Sequence, residues 1–161
     1  MCKVICYFLI CFSFTYCSQK HIAFVQQDSK LFNKDPVISM RRTACYGTCP
    51  QYEISIYDNG LIKYDGKAFV DKLDCFQAML HESVMIAIKS KIKSVNFFSL
   101  DNEYVSPITD IPSIIVEVNL GQGIHKVTDR LNGPKELKTL HSFIDSIHDS
   151  ITTWETCNNL E

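Results

Sequence analysis

Residues 52–66 have the sequence YEISIYDNGLIKYDG, in which two alternating segments flank an Asp-Asn-Gly turn. Apolar side chains occur at every second position, which is the period of a β-strand with one buried face. A two-residue turn would pair Ile56 with Lys63, whereas a three-residue turn pairs Ile56 with Ile62 and keeps the apolar faces together. We therefore predict a hairpin whose type I turn ends on a left-handed Gly60 in a G1 bulge.

The segments around this hairpin predict a mixed α+β domain. Residues 37–43 alternate like a strand, and Gly66 is expected to let the chain bend into a further strand at 67–71. Helical spacing of apolar residues begins near residue 81 and again after Pro134, a residue suited to the start of a helix. The predicted order is β-β-β-α-β-β-α, an antiparallel sheet of about five strands with two helices packed on one face. The other predicted segments are a helix at 81–95, a loop at 101–112, strands at 114–118 and 124–128, and a last helix that extends to Ile151.

Two apolar stripes define the predicted helical faces that pack on the sheet. Both stripes repeat at intervals of three and four residues, as the buried side of an amphipathic helix does. Their members are Met85, Ile88, Ile92 and Val95 on the first helix, and Leu137, Leu140, Ile144, Ile147 and Ile151 on the second.

The N-terminus has the pattern of an export signal. After Lys3, residues 4–16 carry no charge and are mostly apolar. A run of this length suits the core of a signal peptide and is too short for a bilayer span of ~20 residues. Cys17 follows, at the place where bacterial lipoproteins are cleaved and lipidated, although those motifs prefer a small residue where this chain has Tyr16. We predict a signal peptide of the lipoprotein type over 1–16, with an ordinary secretory leader as the alternative.

This leader sets the predicted layout of the chain. Residues 17–36 are polar and mixed in character and are expected to form a tether, 37–155 a single globular α+β domain, and 156–161 a C-terminal tail. A lipid at Cys17 would attach the domain to a membrane of the bacterial cell envelope; without it the protein would be secreted. The formal net charge of −2 leaves no basic excess, which argues against nucleic-acid binding.

Export also changes the interpretation of the motif Cys45-Tyr46-Gly47-Thr48-Cys49-Pro50. In an oxidising compartment a close cysteine pair favours a disulfide, and Gly47 permits the sharp turn that would close it. The alternatives are a copper or other soft-metal site, with His125 as a further ligand, and thiol–disulfide exchange. Both are disfavoured because such motifs usually open a helix, whereas Pro50 leads into the strand of the hairpin.

The remaining cysteines leave the disulfide pattern open. The chain has eight cysteines, of which Cys2, Cys6 and Cys11 lie in the leader and Cys17 directly follows it. Besides Cys45 and Cys49, the folded part contains Cys75 and Cys157. These two could form a second disulfide that joins the middle of the chain to its C-terminal region, or they could remain buried free thiols. Four cysteines allow three pairings, so the sequence alone does not assign them.

The hairpin and the cysteine motif also carry a family resemblance. The segments Arg42 to Pro50, Asp58-Asn59-Gly60 and Tyr64-Asp65-Gly66 resemble an uncharacterised family of bacterial envelope domains known only as a domain of unknown function. The resemblance covers residues 37–155, and its most specific part is the Cys-x-Gly-Thr-Cys-Pro motif. That family often follows lipoprotein leaders, so the resemblance implies an envelope location but no activity. Weaker points of similarity are Tyr104, Asp110, Pro112, the last helix and Trp154.

Candidate catalytic groups are few. His141, Asp145 and His148 fall on one side of the last predicted helix and could hold a metal, although a solvated polar face has the same spacing and is far commoner. Asp110 and Asp129 could act as paired carboxylates, but capping of loops is the ordinary role of such residues. The sequence contains no nucleophile elbow, phosphate loop or zinc-protease motif. We therefore predict no catalytic residue and no cofactor.

Aromatic residues suggest binding rather than catalysis. Tyr46, Tyr52, Tyr57 and Tyr64 crowd the first hairpin, where they could contact a partner or a sugar, or pack against the helices. The leading prediction is a non-enzymatic, exported, lipid-anchored envelope module that binds a protein or a glycan. The alternatives are a copper-handling or thiol-redox protein that uses Cys45 and Cys49, and an inhibitor of an extracytoplasmic enzyme.

Overall fold

Eight strands in one sheet and two α-helices form the described part of the chain, residues 35–121 and 123–157 of a computed structural model. The sheet order is β5-β7-β6-β1-β2-β3-β4-β8, and every neighbouring pair is antiparallel except β5 and β7. The predicted α+β class is confirmed, whereas the expected number of about five strands is too low. The strands are β1 (Ile38–Arg42), β2 (Gln51–Ile56), β3 (Leu61–Ala68), β4 (Asp74–Met79), β5 (Glu103–Tyr104), β6 (Ile114–Asn119), β7 (Ile124–Asp129) and β8 (Glu155–Thr156); the helices are α1 (Glu82–Ser94) and α2 (Lys135–Ser150).

The hairpin of β2 and β3 has the predicted register. Ile56 lies opposite Ile62, and Ile54 lies opposite Tyr64, so the apolar faces coincide. The turn contains three residues, because the backbone N–H of Tyr57 donates to the carbonyl of Leu61 at 2.8 Å. Gly60 has a φ of 88°, the left-handed conformation that the G1 bulge requires.

The prediction of a bend at Gly66 is wrong. Strand β3 continues through Gly66 to Ala68, and the following strand begins only at Asp74. Gly66 is needed for a different reason, since a side chain there would collide with the backbone carbonyl of Lys72 in the next loop. Because the predicted third strand was placed at 67–71, strand β4 was not predicted. Strands β5 and β8 were also missed, since each has only two residues and is too short to show a periodic pattern.

Both helices contribute to one core on one face of the sheet. Every predicted stripe residue is buried except Ile151, which is partly buried. Pro134 lies just before α2 as its N-cap rather than inside the helix. Two rows of residues cross the sheet under the helices. One row is Val127, Val116, Met40, Ile54, Tyr64 and Phe76, and the other is His125, Val118, Ile38, Ile56, Ile62 and Ala78.

The other face of the sheet is polar. It holds a shallow depression of about 370 Å³, lined mainly by hydroxyl and charged side chains. An antiparallel sheet commonly keeps one face against the core and the other in water, which accounts for this composition. The lining includes Ser39, Arg41, Glu53, Ser55, Glu117 and Lys126.

Two disulfides connect the described cysteines. Cys45 is bonded to Cys49 across a Cα–Cα distance of 5.8 Å, and Cys75 is bonded to Cys157 across 5.3 Å. Disulfides persist in oxidising compartments, so the pairing indicates an extracytoplasmic protein. Neither helix in the described ranges has the length and apolar content to cross a membrane. The predicted leader, Cys17 and the tether up to residue 34 lie outside the described residues.

Candidate functional site

Four loops meet at one end of the sheet, which we call the loop end. They lie side by side because the strands that they follow or precede are paired there. Arg42 at the end of β1 pairs with Tyr52 of β2 on one side and with Ile114 of β6 on the other. Ile114 in turn pairs with Asp129 at the end of β7. The four loops are 43–50 between β1 and β2, 69–73 between β3 and β4, 105–113 between β5 and β6, and 130–134 between β7 and α2.

Loop 105–113 is hydrogen-bonded to its neighbours on both sides. The N–H of Thr43 donates to the carbonyl of Ser113 at 3.0 Å, and the N–H of Ser113 donates to the Thr43 hydroxyl at 2.8 Å. On the other side, the side-chain amide of Asn132 donates to the carbonyl of Val105 at 2.6 Å. These bonds connect loops 43–50, 105–113 and 130–134 to one another. Three of the four loops therefore form one continuous surface.

The most exposed large apolar side chain of the described residues belongs to Tyr46, between the two bonded cysteines. Its exposed fraction is 92%, while Cys45 and Cys49 are half-buried. The N–H of Tyr46 donates to the carbonyl of Asp110 at 3.4 Å, which adds a contact to the neighbouring loop. The disulfide restricts the backbone under the ring. The aromatic ring is therefore presented to solvent from a constrained loop.

A polar network supports the base of this loop. The Arg42 Nε donates to the Tyr52 hydroxyl at 2.7 Å, and that hydroxyl donates to Asp145 Oδ1 at 2.6 Å. The Arg42 guanidinium also binds the other carboxylate oxygen of Asp145, on α2. Burial, together with the hydrogen bond to Asp145, raises the pKa of Tyr52 well above its usual value, so the phenol remains a donor. The network thus fastens α2 to the two strands that lead into and out of the disulfide loop.

A second polar pair lies beneath loop 130–134. Asp129 and His141 are both buried, with 4.0 Å between Asp129 Oδ2 and His141 Nδ1. Burial lowers the pKa of His141 to about 4, although the Asp129 carboxylate opposes this change. At neutral pH the imidazole is therefore uncharged, and the two groups do not form an ion pair. Asp129 Oδ1 accepts a hydrogen bond from the N–H of Gly133 at 2.8 Å, which holds the loop.

Aromatic residues pack the C-terminal end of α2 against the sheet. The ring centroids of Tyr64 and His148 are 4.5 Å apart, and those of His148 and Trp154 are 5.4 Å apart. Tyr52 lies 5.5 Å from Tyr64 and joins this cluster to the polar network. Tyr52 and Tyr64 therefore have packing roles, one of the two roles considered for the tyrosines of the hairpin.

His141, Asp145 and His148 of α2 do not form a solvated face. His141 is buried, and the side chains of Asp145 and His148 are only 25% and 20% exposed. Asp145 binds Arg42 and His141 faces Asp129, two charged residues that follow Met40 and Val127 of the first row on the same face of their strands. His148 packs on Tyr64 of the first row. Within residues 35–121 and 123–157, no group of three His, Cys, Asp or Glu side chains is placed to hold a metal ion.

The other candidates are separated by the fold. His125 lies on β7 at the end opposite the loop end, where its Nε2 contacts the Leu100 carbonyl at 3.0 Å. The structure therefore does not bring His125 to Cys45 and Cys49. Asp129 contacts His141 and Gly133, while Asp110 is exposed in loop 105–113.

Sequence reasoning missed Arg42 and the pairing of Asp129 with His141. The sequence did contain a signal for Arg42, because every second residue of β1 lies on one face and Arg42 follows Ile38 and Met40 on that face. A charged residue that continues an apolar alternation needs a buried partner. Asp129 follows Val127 in the same way on β7.

Comparison with known proteins gives a family but no characterised relative. No curated protein matches the chain. The model of a family described as a domain of unknown function, DUF6438, matches residues 36–148. The matched region contains the disulfide loop and the polar network, and it ends before Trp154 and Cys157. Because this match spans well over half of the sequence, the chain belongs to the DUF6438 family.

Proposed function

We propose that the protein is an exported, lipid-anchored module of the bacterial cell envelope that binds another protein at its loop end and catalyses no reaction. The observation that carries this proposal is Tyr46, which is 92% exposed between two disulfide-bonded cysteines. Tyrosine is among the residues that dominate binding energy at protein interfaces. A ring on a constrained loop also loses little conformational freedom on binding.

The surroundings of Tyr46 support binding over catalysis. The polar groups nearest the loop are already engaged with one another, since Arg42, Tyr52 and Asp145 form a closed network. A phenol whose pKa is raised by burial is a poor general base at neutral pH. These groups therefore support the loop and are not arranged to act on a substrate.

The proposed lipid anchor is inferred from the predicted leader and from Cys17. Two disulfides are expected of an exported chain, and the polar residues after Cys17 would act as a tether to the domain. Labelling of cells with a clickable fatty acid tests the anchor. We expect label on the wild-type protein and none on Cys17→Ala; an unlabelled wild type would mean an ordinary secreted form.

The alternative function uses Cys45 and Cys49 for copper handling or thiol exchange. Copper binding is less well supported because the two sulfurs are joined to each other. Thiol exchange is less well supported because the chain continues into a strand rather than a helix. His125, the further ligand considered for copper, lies at the opposite end of β7. Inhibition of an extracytoplasmic enzyme would be a special case of the proposed protein binding.

The test is recovery of partners from chemically crosslinked envelopes with three forms of the full chain. These are the wild type, Tyr46→Ala and Ile86→Ala; Ile86 is 62% exposed on α1 and serves as a matched control. We expect the same protein with the wild type and Ile86→Ala, and its loss with Tyr46→Ala. Equal recovery with all three forms would refute the role of Tyr46. Recovery of no protein, together with stoichiometric copper on the purified chain, would favour the alternative.

A further inference from the structure

We infer that the partner is a protein with an uncharged, apolar surface that covers all four loops of the loop end, and not Tyr46 alone. This inference rests on the proposed function and names the surface that the function would use. The surface, which we call the loop-end patch, consists of Tyr46, Phe69, Leu73, Val105, Ile108 and Leu131.

Exposed apolar side chains are concentrated at this end of the molecule. Nine large hydrophobic residues of the described ranges are exposed, and six of them belong to the four loops. Single exposed hydrophobic residues are normal on a protein surface, but a cluster marks an interaction site. The other three, Met79, Ile86 and Ile124, lie outside the loop end.

The patch has the width of a protein interface. Its loops follow the strand order from β7 through β6, β1, β2 and β3 to β4. Five steps at ~4.8 Å between neighbouring strands give about 24 Å. An interface of standard size covers roughly 800 Å² on each partner, which has a comparable diameter.

Two members of the patch are held in an unfavourable backbone conformation. Phe69 has a φ of 55° and Leu131 a φ of 94°, in the left-handed region that bulky residues rarely adopt. Such conformations are energetically unfavourable for bulky residues and occur most often at functional sites. Both side chains are more than half exposed, so burial in this domain does not compensate the cost.

The charge of the four loops favours a protein over a bilayer. Their charged residues are Asp71, Lys72, Asp110 and Arg130, so acidic and basic residues balance. Surfaces that bind anionic membranes carry clusters of lysine and arginine. The core of a protein interface is instead depleted of charge and rich in aromatic residues.

The position at which the chain enters the domain also favours a protein partner over a bilayer. The N–H of Val37 donates to the carbonyl of Ile56, and the N–H of Asn119 donates to the carbonyl of Val37, so the chain enters opposite the loop end. A lipid at Cys17 would hold the domain by that entrance. The patch would then remain free to contact proteins of the envelope space.

The test places a photo-crosslinking amino acid at Tyr46, Leu73 or Leu131 of the full chain in cells, with Ile86 and Ile124 as control positions. These controls are 62% and 58% exposed and lie on α1 and at the start of β7. We expect one envelope protein to be captured from all three patch positions and from neither control. That protein is then purified and its affinity measured. Leu73→Asp and Leu131→Asp should each weaken binding at least tenfold, and Ile86→Asp less than twofold.

Each other outcome overturns the inference. Crosslinks to lipid, with flotation of the purified domain on anionic vesicles, would assign the patch to a bilayer. Crosslinks to a second copy, or to residues 18–34 of the same chain, would assign it to self-association or to the chain's own tether. If Tyr46 captures a partner while Leu73 and Leu131 do not, the proposed function survives and the four-loop surface fails. If no position captures a protein, both fail.

Discussion

Acidification should destabilise the domain through His141. In the folded protein, burial lowers the pKa of this imidazole from 6.5 to about 4. The unfolded chain therefore binds a proton near pH 6.5, while the folded chain resists it until about pH 4. The contribution of His141 to stability is complete above pH 6.5, falls as the pH decreases through this interval, and changes no further below about pH 4. At ~1.36 kcal/mol per pH unit, the interval corresponds to about 3 kcal/mol of unfolding free energy.

The groups that face His141 set the sign and size of this effect. Burial is the largest cause and lowers the pKa, and the cations Arg42 and Lys138 act in the same direction. The carboxylates Asp129 and Asp145 oppose them. The groups that lower the pKa outweigh the two carboxylates that raise it. Protonation therefore introduces a charge that the folded site stabilises less well than water does.

The assay is urea denaturation between pH 4.5 and 7 for the wild type and His141→Gln. Carboxylates elsewhere titrate equally in both proteins, so the difference in slope isolates His141. Between pH 7 and pH 4.5 the wild type should lose about 2.5 kcal/mol more than the variant. Ile86→Ala, at an exposed position of α1, is the control; it changes no titratable group and should keep the wild-type slope. Equal slopes for the wild type and His141→Gln would refute the reasoning.

The other predictions concern the disulfides and the polar network. Replacing Cys75 and Cys157 by serine should cost about 4–5 kcal/mol, because that bond closes a sequence separation of 82, whereas the Cys45–Cys49 bond, with a separation of 4, should cost about 2 kcal/mol. Thermal unfolding of the two double variants measures which disulfide contributes more stability. A larger loss from removing the Cys45–Cys49 bond would contradict the prediction. Asp145→Ala should cost about 1.5–3 kcal/mol by removing the partner of Arg42. Asp149→Ala, on the exposed side of the same helix, should stay within about 0.5 kcal/mol in the same denaturation assay.

The sequence was sufficient where one short-range pattern decides the structure. The β2–β3 hairpin follows from an alternation and a single glycine, and the two helices follow from their apolar stripes. Strand β4 was missed because its alternation is weak and Gly66 drew attention to a bend. Gly66 is required because the Lys72 carbonyl lies against it. This contact joins two segments of the chain, so no local sequence pattern predicts it.

The candidate site was predictable in part. The cysteine motif drew attention to loop 43–50, and the sequence suggested its disulfide. The sequence could not show that His141 is buried, because helical spacing places His141, Asp145 and His148 on one side without showing what that side faces. Their burial depends on contacts with Arg42 and Asp129, which belong to strands far apart in sequence.

The Cys75–Cys157 bond has a consequence for how the protein avoids aggregation. Strand β8 pairs with the outer edge of β4 at Phe76 and Gln77, and the disulfide fixes the chain beside that pairing. An uncovered edge strand offers unpaired backbone groups to other chains. Because Cys157 lies 82 residues after Cys75, β8 covers this edge only once the end of the chain has been synthesised, and without the disulfide only the short β8 pairing holds it there. Reducing conditions should therefore promote edge-to-edge association of the protein as well as lower its stability.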